Sequence, residues 1–323
     1  MPILNGLFDL FINIPLFVQY ILLPLCLLAF IALFPFKSKL AALLVVIPTG
    51  LFLSLLYFSA VWEMSGGFYA RYVLVGLFFA AAVLAFFKAR KAPFFRKPKW
   101  GVWILYGFGL FAVIVLGIFN VNIFRAYSYK EEPIRLQFPF RDGTYLINDA
   151  GDGSVSNLVN YHYQDAENIR LNYYQSERFA NDIVMIDDFG FEGRNFGNEE
   201  SLEDYYVFGV NVYSPCDGLV YEVQEGYDNV PLNGTITDTG NGVAILTGDV
   251  YVVLWHLEKD SIVVQEGDYV HAGDLIGTIG NSGITVTPHL HIHAARGHFM
   301  NGEGVPVLYD GREPMKNTLF KEN

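Results

Sequence analysis

The segment Thr287-Pro288-His289-Leu290-His291-Ile292-His293, near the C-terminus, carries three of the chain's seven histidines at alternate positions. In a β-strand successive side chains point to opposite faces, so the three imidazoles share one face of the strand. Imidazole is the commonest metal ligand in proteins and a general base near neutral pH. The segment therefore predicts a β-strand with a metal-dependent catalytic site, and the alternative is a solvated edge strand that happens to carry histidines.

Charge and hydropathy divide the 323-residue chain into two parts. Residues 1–124 contain nine Lys and Arg and two acidic residues, a balance of +7, whereas the remaining residues have a balance of −19. Each of the apolar runs in the first part is long enough, or nearly so, to cross a hydrocarbon core of about 30 Å as a helix. We therefore predict four transmembrane helices, at Leu10–Phe36, Leu40–Trp62, Phe68–Phe87 and Trp100–Phe124. The acidic second part excludes nucleic acid as a partner, because polyphosphate would be repelled.

The basic residues of the loops predict the orientation in the lipid bilayer. Lys37 and Lys39 connect the first two runs, and six Lys and Arg residues lie between positions 88 and 99, which connect the last two. The segment Met1–Asp9 and the loop at residues 63–67 contain no basic residue. By the positive-inside rule the basic loops are cytoplasmic. We expect a multi-pass protein of the cytoplasmic (inner) membrane, with its C-terminal domain in the periplasm or outside the cell.

The second part reads as a series of short β patterns that are separated by Gly, Asn and Asp turn signals. We predict a juxtamembrane linker over residues 125–137, after the membrane region 1–124, and a mainly antiparallel β domain over residues 138–323. The predicted strands are Gly218–Gln224, Val243–Leu246, Val250–Leu254, Ile262–Val264, Leu275–Ile279 and His289–His293. The fold class is thus an α-helical membrane domain followed by an antiparallel β domain.

The histidine strand needs further ligands before it can hold a metal ion. Asp182 lies beside an apolar run, where burial of a carboxylate requires a compensating cation; Asp187 and Asp188 are alternatives that look exposed. His162 lies among aromatic residues, a setting that is also typical of a structural histidine. His256 ends a β pattern, and it would face a cleft if its strand borders the histidine strand.

An ordered series of short motifs resembles the lysostaphin/LytM-type zinc endopeptidases. The series consists of Trp255-His256-Leu257, Gly267-Asp268, Gly273-Asp274, Gly280-Asn281-Ser282-Gly283 and Pro288-His289-Leu290-His291. Upstream, the segments Phe138-Pro139-Phe140, Asn160-Tyr161-His162 and Ser176-Glu177-Arg178-Phe179-Ala180-Asn181-Asp182 extend the likeness over roughly residues 135–315. Each motif alone is weak, whereas their combined order is specific.

The resemblance implies roles for the residues at matching positions. Asp182 and His291 are implied as zinc ligands and His289 as the general base, while His256 is implied to stabilise the developing oxyanion. The resemblance also implies that zinc lowers the pKa of a bound water, which then attacks a peptide carbonyl. His293, on the same face of the strand but one step further along, is expected to support the site or to line the cleft without binding the metal.

One position departs from the commonest pattern of the family. Arg178 stands four residues before Asp182, where the family commonly has a ligand histidine, and a guanidinium cannot bind zinc. A similar subgroup of the family takes this ligand from an upstream Asn-x-His motif. The resemblance to that subgroup implies His162 as the third zinc ligand.

The resemblance implies a membrane-anchored endopeptidase with Zn²⁺ as cofactor, which hydrolyses cross-links or stem peptides of bacterial peptidoglycan outside the cytoplasmic membrane. One alternative is a catalytically degenerate cell-wall binding or regulatory module, for which Arg178 is the main argument. A lipoyl-type carrier is a second alternative, but it needs a lysine at an exposed turn, and Lys259, the nearest, lies outside any such turn. The scissile bond, a protein activator and the oligomeric state stay open.

Overall fold

The computed structural model of the protein describes residues 15–97, 99–163, 172–232, 234–235 and 240–322. The chain forms two compact units, Met1–Asn122 and Ile123–Asn323. The segment Met1–Asp9, which we expected outside the membrane, and the start of the first apolar run at Leu10 lie outside the described residues.

Apolar helices make up the described part of the first unit. They are α1 (Val18–Leu33, with a π-helical start over Val18–Leu22), α2 (Lys39–Ser59), a short 3-10 helix (Trp62–Met64), α3 (Ala70–Ala89) and α4 (Trp100–Arg125), whose last residues belong to the second unit. The hydroxyl of Ser38 caps α2, because it accepts a hydrogen bond from the Ala41 amide at 3.2 Å. Three of these helices, α2 to α4, are long and apolar enough to cross a membrane. The described helix of the first predicted span is shorter, so four crossings stay a prediction.

The second unit is mainly antiparallel β structure, as predicted. Its strands are β1 (Ile134–Leu136), β2 (Gly143–Asp149), β3 (Asn181–Ile186), β4 (Asn211–Tyr213), β5 (Gly218–Gln224), β6 (Asn241–Thr247), β7 (Val250–Leu257), β8 (Tyr269–Val270), β9 (Leu275–Thr278), β10 (Leu290–Arg296), β11 (Glu303–Val305), β12 (Val307–Tyr309) and β13 (Leu319–Glu322). Two 3-10 helices, Asn172–Phe179 and Leu202–Asp204, lie between strands.

One antiparallel sheet of nine strands forms the centre of this unit. Its order is β13-β2-β3-β10-β7-β6-β5-β8, with β11 paired to β10. Two small pairs complete the unit, the parallel pair β1–β12 and the antiparallel pair β4–β9. This strand order places the histidine strand, β10, in the middle of the sheet, where β3 and β7 hold it on its two sides.

Alternation along the central strands separates a packed face from the face that carries the histidines. Ile183 on β3, Ile292 on β10 and Leu254 on β7 are at most 1% exposed and belong to one apolar core. Burial of a side chain of this size contributes about 1.5–3 kcal/mol. His291 and His293 lie on the opposite face of β10, because their positions alternate with that of Ile292.

Five of the six predicted strands are present, four of them with different ends, and β1 to β4, β8 and β11 to β13 were not predicted. Ile262–Val264 is not a strand, so that prediction is wrong: the Val263 amide donates to the Ile276 carbonyl at 2.9 Å, but no ladder continues from this bond. A short apolar run does not form a strand unless a neighbour pairs along its length. The histidine strand begins one residue later than predicted, so His289 precedes β10 and His291 and His293 lie within it.

Candidate metal centre

Three side chains that are distant in the sequence bring their ligand atoms together on the histidine face of the sheet. The Nε2 atom of His162 lies 3.3 Å from Asp182 Oδ2 and 3.2 Å from His291 Nδ1. The Nδ1 atom of His291 lies 3.2 Å from Asp182 Oδ1. The structure thus brings together the three residues that the sequence reading named as ligands, in a group that could hold a metal ion.

These separations fit a tetrahedral zinc ion. Zinc binds imidazole nitrogen and carboxylate oxygen at about 2.0–2.2 Å, so neighbouring ligand atoms of a tetrahedral site lie roughly 3.3–3.5 Å apart. The 3.2 Å between His162 Nε2 and His291 Nδ1 is close to this value, and each of these nitrogens lies 3.2 or 3.3 Å from a different oxygen of Asp182. Two imidazoles and one carboxylate leave a fourth position open, which is typical of catalytic zinc sites.

Strand register positions two of the three ligands. His291 on β10 lies directly opposite Asp182 on β3, and on the other side it lies opposite Trp255 on β7. Paired residues of neighbouring strands project from the same face with their Cβ atoms about 4.5–5.5 Å apart. The two ligands therefore meet because of the register and do not depend on a loop.

A buried amide positions the third ligand, His162. Asn160 is fully buried, and its Nδ2 atom lies within 3.3 Å of three carbonyl oxygens, those of Gly151, Arg178 and Ala180. Its Oδ1 atom accepts hydrogen bonds from the His162 backbone amide at 3.0 Å and from His162 Nδ1 at 3.1 Å. Because Nδ1 donates this bond, the neutral ring keeps its lone pair on Nε2, which faces Asp182.

His289 and His256, the residues predicted to be catalytic, lie beside this group. His289 Nε2 lies 3.6 Å from Asp182 Oδ2, and the rings of His289 and His256 have centroids 4.7 Å apart. In both residues Nδ1 donates to a backbone carbonyl at 2.8 Å, that of Thr287 for His289 and that of Ser282 for His256. In the neutral form both therefore present an unprotonated Nε2, which can accept a proton.

A β-bulge gives His256 its direction. The register of β6 and β7 passes from Asn241 opposite Leu257 to Gly242 opposite Trp255, so His256 has no partner on β6. Its φ of 70° lies in the left-handed region, which is uncommon for a residue other than glycine. Such backbone strain concentrates at functional sites, and a bulge re-aims a side chain that would otherwise follow the strand.

Burial and charge shift the pKa values of this cluster in opposite directions. Burial lowers the pKa of His289, and burial with neighbouring histidines lowers that of His256 well below its usual range. Burial also opposes the charged form of His162, but the Asp182 carboxylate outweighs it and raises the pKa of His162 to about 9. The pKa of Asp182 lies well below its usual range: burial alone would raise it, but His162 and His289 favour the carboxylate. Without a metal ion, His162 therefore carries a proton at neutral pH, while His289 and His256 are neutral.

Arg178, the residue that departs from the family pattern, makes its contacts elsewhere. Its guanidinium donates to Asp152 Oδ1 at 2.9 Å and to Asp152 Oδ2 at 2.6 Å, and it also donates to Glu131 at 2.9 Å. Arg178 is thus a structural cation that neutralises Asp152, whose side chain is only 4% exposed. His162, and not Arg178, lies next to Asp182 and His291.

Sequence reasoning did not single out several residues of the site. Asn160 and Tyr161 belong to the quoted Asn160-Tyr161-His162 motif, but no role was assigned to them; the Tyr161 ring stacks on His162 with centroids 4.3 Å apart. Glu177 forms a second possible ligand group with His291 and His293. Asp149 lies opposite Asp182 across a bulge, paired with Lys316 at 3.1 Å. The Asn-x-His spacing could have indicated Asn160, whereas nothing in the local sequence marks the others.

Comparison with known proteins identifies the class of the second unit. Residues 204–305 match the model described as Peptidase family M23. Glycyl-glycine endopeptidase ALE-1 of Staphylococcus capitis is 28% identical over 109 residues, which are 34% of this chain and 28% of the relative. Lysostaphin of Staphylococcus staphylolyticus is 34% identical over 109 residues, 34% of this chain and 21% of the relative. Residues 204–305 are thus similar to peptidase family M23, and the chain spans only a minor part of the length of these relatives.

A solved structure is also similar. The catalytic domain of lysostaphin from Staphylococcus simulans is 27% identical, with 30% of this chain and 66% of that chain covered at a TM-score of 0.24. The family match includes His256, His289 and His291 and begins after His162 and Asp182. The grouping of these last two residues with His291 therefore rests on the geometry described above.

Proposed function

We propose that the protein is a membrane-anchored, zinc-dependent endopeptidase that cuts peptide bonds of bacterial peptidoglycan outside the cytoplasmic membrane. One observation carries the proposal: His162, Asp182 and His291 form a group that could hold a metal ion, and His289 and His256 of the peptidase-like region lie beside it. The similarity to a glycyl-glycine endopeptidase and to lysostaphin supports cell-wall peptide as the substrate class.

His162 Nε2, Asp182 and His291 Nδ1 would hold the zinc ion. When bound, zinc supplies a Lewis acid for the peptide carbonyl and favours ionisation of water. His289 is the base in this proposal, because its Nε2 atom is unprotonated and lies 3.6 Å from the ligand Asp182. It would take a proton from the attacking water and return it to the leaving amine.

His256 has a more demanding role in the same proposal. Its Nδ1 proton is used by the Ser282 carbonyl, so a neutral His256 offers the substrate only a lone pair. Stabilisation of a developing oxyanion therefore requires that His256 gains a proton on Nε2. Burial and the neighbouring histidines disfavour this charge before the reaction, so His256 would take up a proton from bulk water only as negative charge develops nearby.

Metal content and hydrolysis of the full-length chain test the proposal. The protein purified in detergent should contain about one zinc ion per chain, and His162→Ala should lose it. His298→Ala is the matched control, because His298 is exposed and should leave the zinc content unchanged. Full zinc occupancy in His162→Ala would refute the ligand assignment, and cell-wall hydrolysis that survives His289→Ala would refute its role as base.

A cell-wall binding module without hydrolysis is the second candidate function. Its main support was Arg178, which replaces a common ligand, but Arg178 pairs with Asp152 and His162 lies with the other two ligands. A binding module has no physical need for His289 and His256 to converge on the same group. Zinc-loaded protein that binds cell wall and hydrolyses none of it would favour this candidate.

We also propose the division into a membrane region at residues 1–124, a linker at 125–137 and a peptidase domain at 138–323 that faces outward. The −19 balance of residues 125–323 suits an extracytoplasmic domain that does not bind nucleic acid. Labelling of Asp188→Cys by an impermeant reagent in intact cells tests the orientation, in a Cys26→Ala background. Lys91→Cys, in a predicted cytoplasmic loop, should label only after permeabilisation; the reverse pattern would refute the proposed topology.

A further inference from the structure

The outer nitrogen of each site histidine is the ring nitrogen that points away from Asp182. In His291 this nitrogen is hydrogen-bonded to another imidazole, whereas in His162, His256 and His289 it is hydrogen-bonded to an oxygen atom. The Nε2 atom of His291 lies 3.0 Å from Nδ1 of His293. The Nε2 atom of His293 in turn lies 3.0 Å from the Phe299 carbonyl oxygen. His293 is 1% exposed, so no water competes for these two contacts.

The Phe299 carbonyl determines where the protons of this chain lie. A carbonyl oxygen only accepts, so His293 must carry its proton on Nε2, and its neutral ring keeps a lone pair on Nδ1. If His291 also had a lone pair on Nε2, two lone pairs would face each other at 3.0 Å. His291 therefore donates from Nε2, and its own lone pair lies on Nδ1, the atom that faces His162 and Asp182.

We propose that His293 is a positioning residue that fixes the proton of His291 on Nε2 and thereby makes Nδ1 the zinc-binding atom. The proposal rests on the zinc site proposed above. Outer hydrogen bonds of this kind set the tautomer and ring orientation of metal-bound histidines, and their loss commonly weakens metal binding about 10- to 100-fold. Here the acceptor is a neutral imidazole that a backbone carbonyl holds in place.

The hydrogen bond from His291 to His293 also decides between two possible groups of metal ligands. Glu177, His291 and His293 could also hold a metal ion, in a group that shares His291 with the first one. A neutral imidazole has one lone pair, so His291 cannot serve both groups at once. Through His293, the structure directs that lone pair to the His162–Asp182 group, so one zinc ion binds per chain.

Two substitutions of His293 separate the direction of the hydrogen bond from side-chain packing. In His293→Asn the amide oxygen can replace Nδ1 as acceptor for His291. In His293→Gln the amide reaches toward the Phe299 carbonyl and leaves no acceptor at the position of Nδ1. His298→Asn, at an exposed histidine, is the control for general effects of the change.

Zinc affinity of the full-length protein in detergent is measured by competition with a chromophoric chelator. We expect His293→Gln to bind zinc about 10- to 100-fold more weakly, while His293→Asn and His298→Asn stay close to the wild type. Equal losses in the Asn and Gln variants would show that packing alone matters and would overturn the proposal. Two zinc ions per wild-type chain would overturn it as well.

Nitrogen chemical shifts of the zinc-free protein test the tautomer without zinc. In ¹⁵N-histidine-labelled protein, the signals that disappear in His291→Gln belong to His291. They should show a proton on Nε2 in the wild type and in His293→Asn, and a loss of this preference in His293→Gln. A proton on Nδ1 in the wild type would overturn the proposal. A wild type that binds no zinc would instead refute the proposed function, and the shifts would still decide the role of His293.

Discussion

Zinc has to displace a proton from His162, and this competition makes the zinc affinity depend on pH in a predictable way. In the zinc-free chain the Asp182 carboxylate outweighs burial and raises the pKa of His162 to about 9. At pH 7 the ring is therefore protonated on Nε2, the atom that zinc needs. Removal of a proton two pH units below its pKa costs about 2.7 kcal/mol, or a factor of about 100 in affinity.

The expected zinc affinity thus rises about tenfold for each pH unit between pH 7 and 9 and levels off above pH 9. Titration calorimetry at pH 7, in buffers that differ in protonation enthalpy, should show about one proton released from the protein per zinc ion bound. His298→Ala should give the same result, since this exposed residue lies outside the site. Zinc binding without proton release, or an affinity that does not change from pH 7 to 8.5, would refute the reasoning.

Three further predictions concern the residues that hold the site in place. Asn160→Ala should lower the free energy of unfolding by about 2–4 kcal/mol in a denaturant titration, because three carbonyl groups and His162 lose a buried partner; an unchanged stability would contradict this role. Arg178→Ala should lower the free energy of unfolding by about 1–3 kcal/mol, a range that allows for the 27% exposure of the Arg178 side chain. The variant should still bind one zinc ion per chain, and loss of zinc would place Arg178 in the site. His256→Asn should be more stable than His256→Ala, because Asn tolerates the left-handed φ of 70°, and equal stability would argue against backbone strain. Both variants should hydrolyse cell wall about 100-fold or more slowly, and hydrolysis at the wild-type rate would exclude a catalytic role.

The antiparallel β architecture follows from the sequence because alternating patterns and turn residues are local signals. The β pattern at Gly218–Gln224 coincides with a strand of the structure. The false strand at Ile262–Val264 shows the limit of this reasoning, because a run of β-branched residues does not report whether a partner strand is available. The pairing order of the sheet is set by contacts between strands that are far apart in the chain, and local patterns do not contain it.

The candidate site could likewise be predicted from the sequence only in part. Alternation in the histidine strand predicted that His291 and His293 share a face, and apolar neighbours marked Asp182 as a buried acid. The direct opposition of Asp182 and His291 depends on the register of β3 with β10, which the sequence did not specify. The acceptor roles of the Phe299 and Ser282 carbonyls have no sequence signal, because every residue has a carbonyl group.

The arrangement of protons explains why this site requires a cation. His162, His289 and His291 each donate a hydrogen bond from the ring nitrogen that points away from Asp182. In the neutral rings the other nitrogen therefore keeps a lone pair, and all three of these nitrogens lie within 3.6 Å of an oxygen of the buried Asp182 carboxylate. Such a group is costly to bury unless a positive charge lies among its members. In the zinc-free chain the proton on His162 supplies that charge, and zinc supplies it more fully because it accepts several lone pairs at once. Zinc binding should therefore stabilise the folded domain by an amount that grows with the logarithm of the free zinc concentration. An unfolding temperature that does not rise with added zinc would show that the lone pairs are not directed at a common centre.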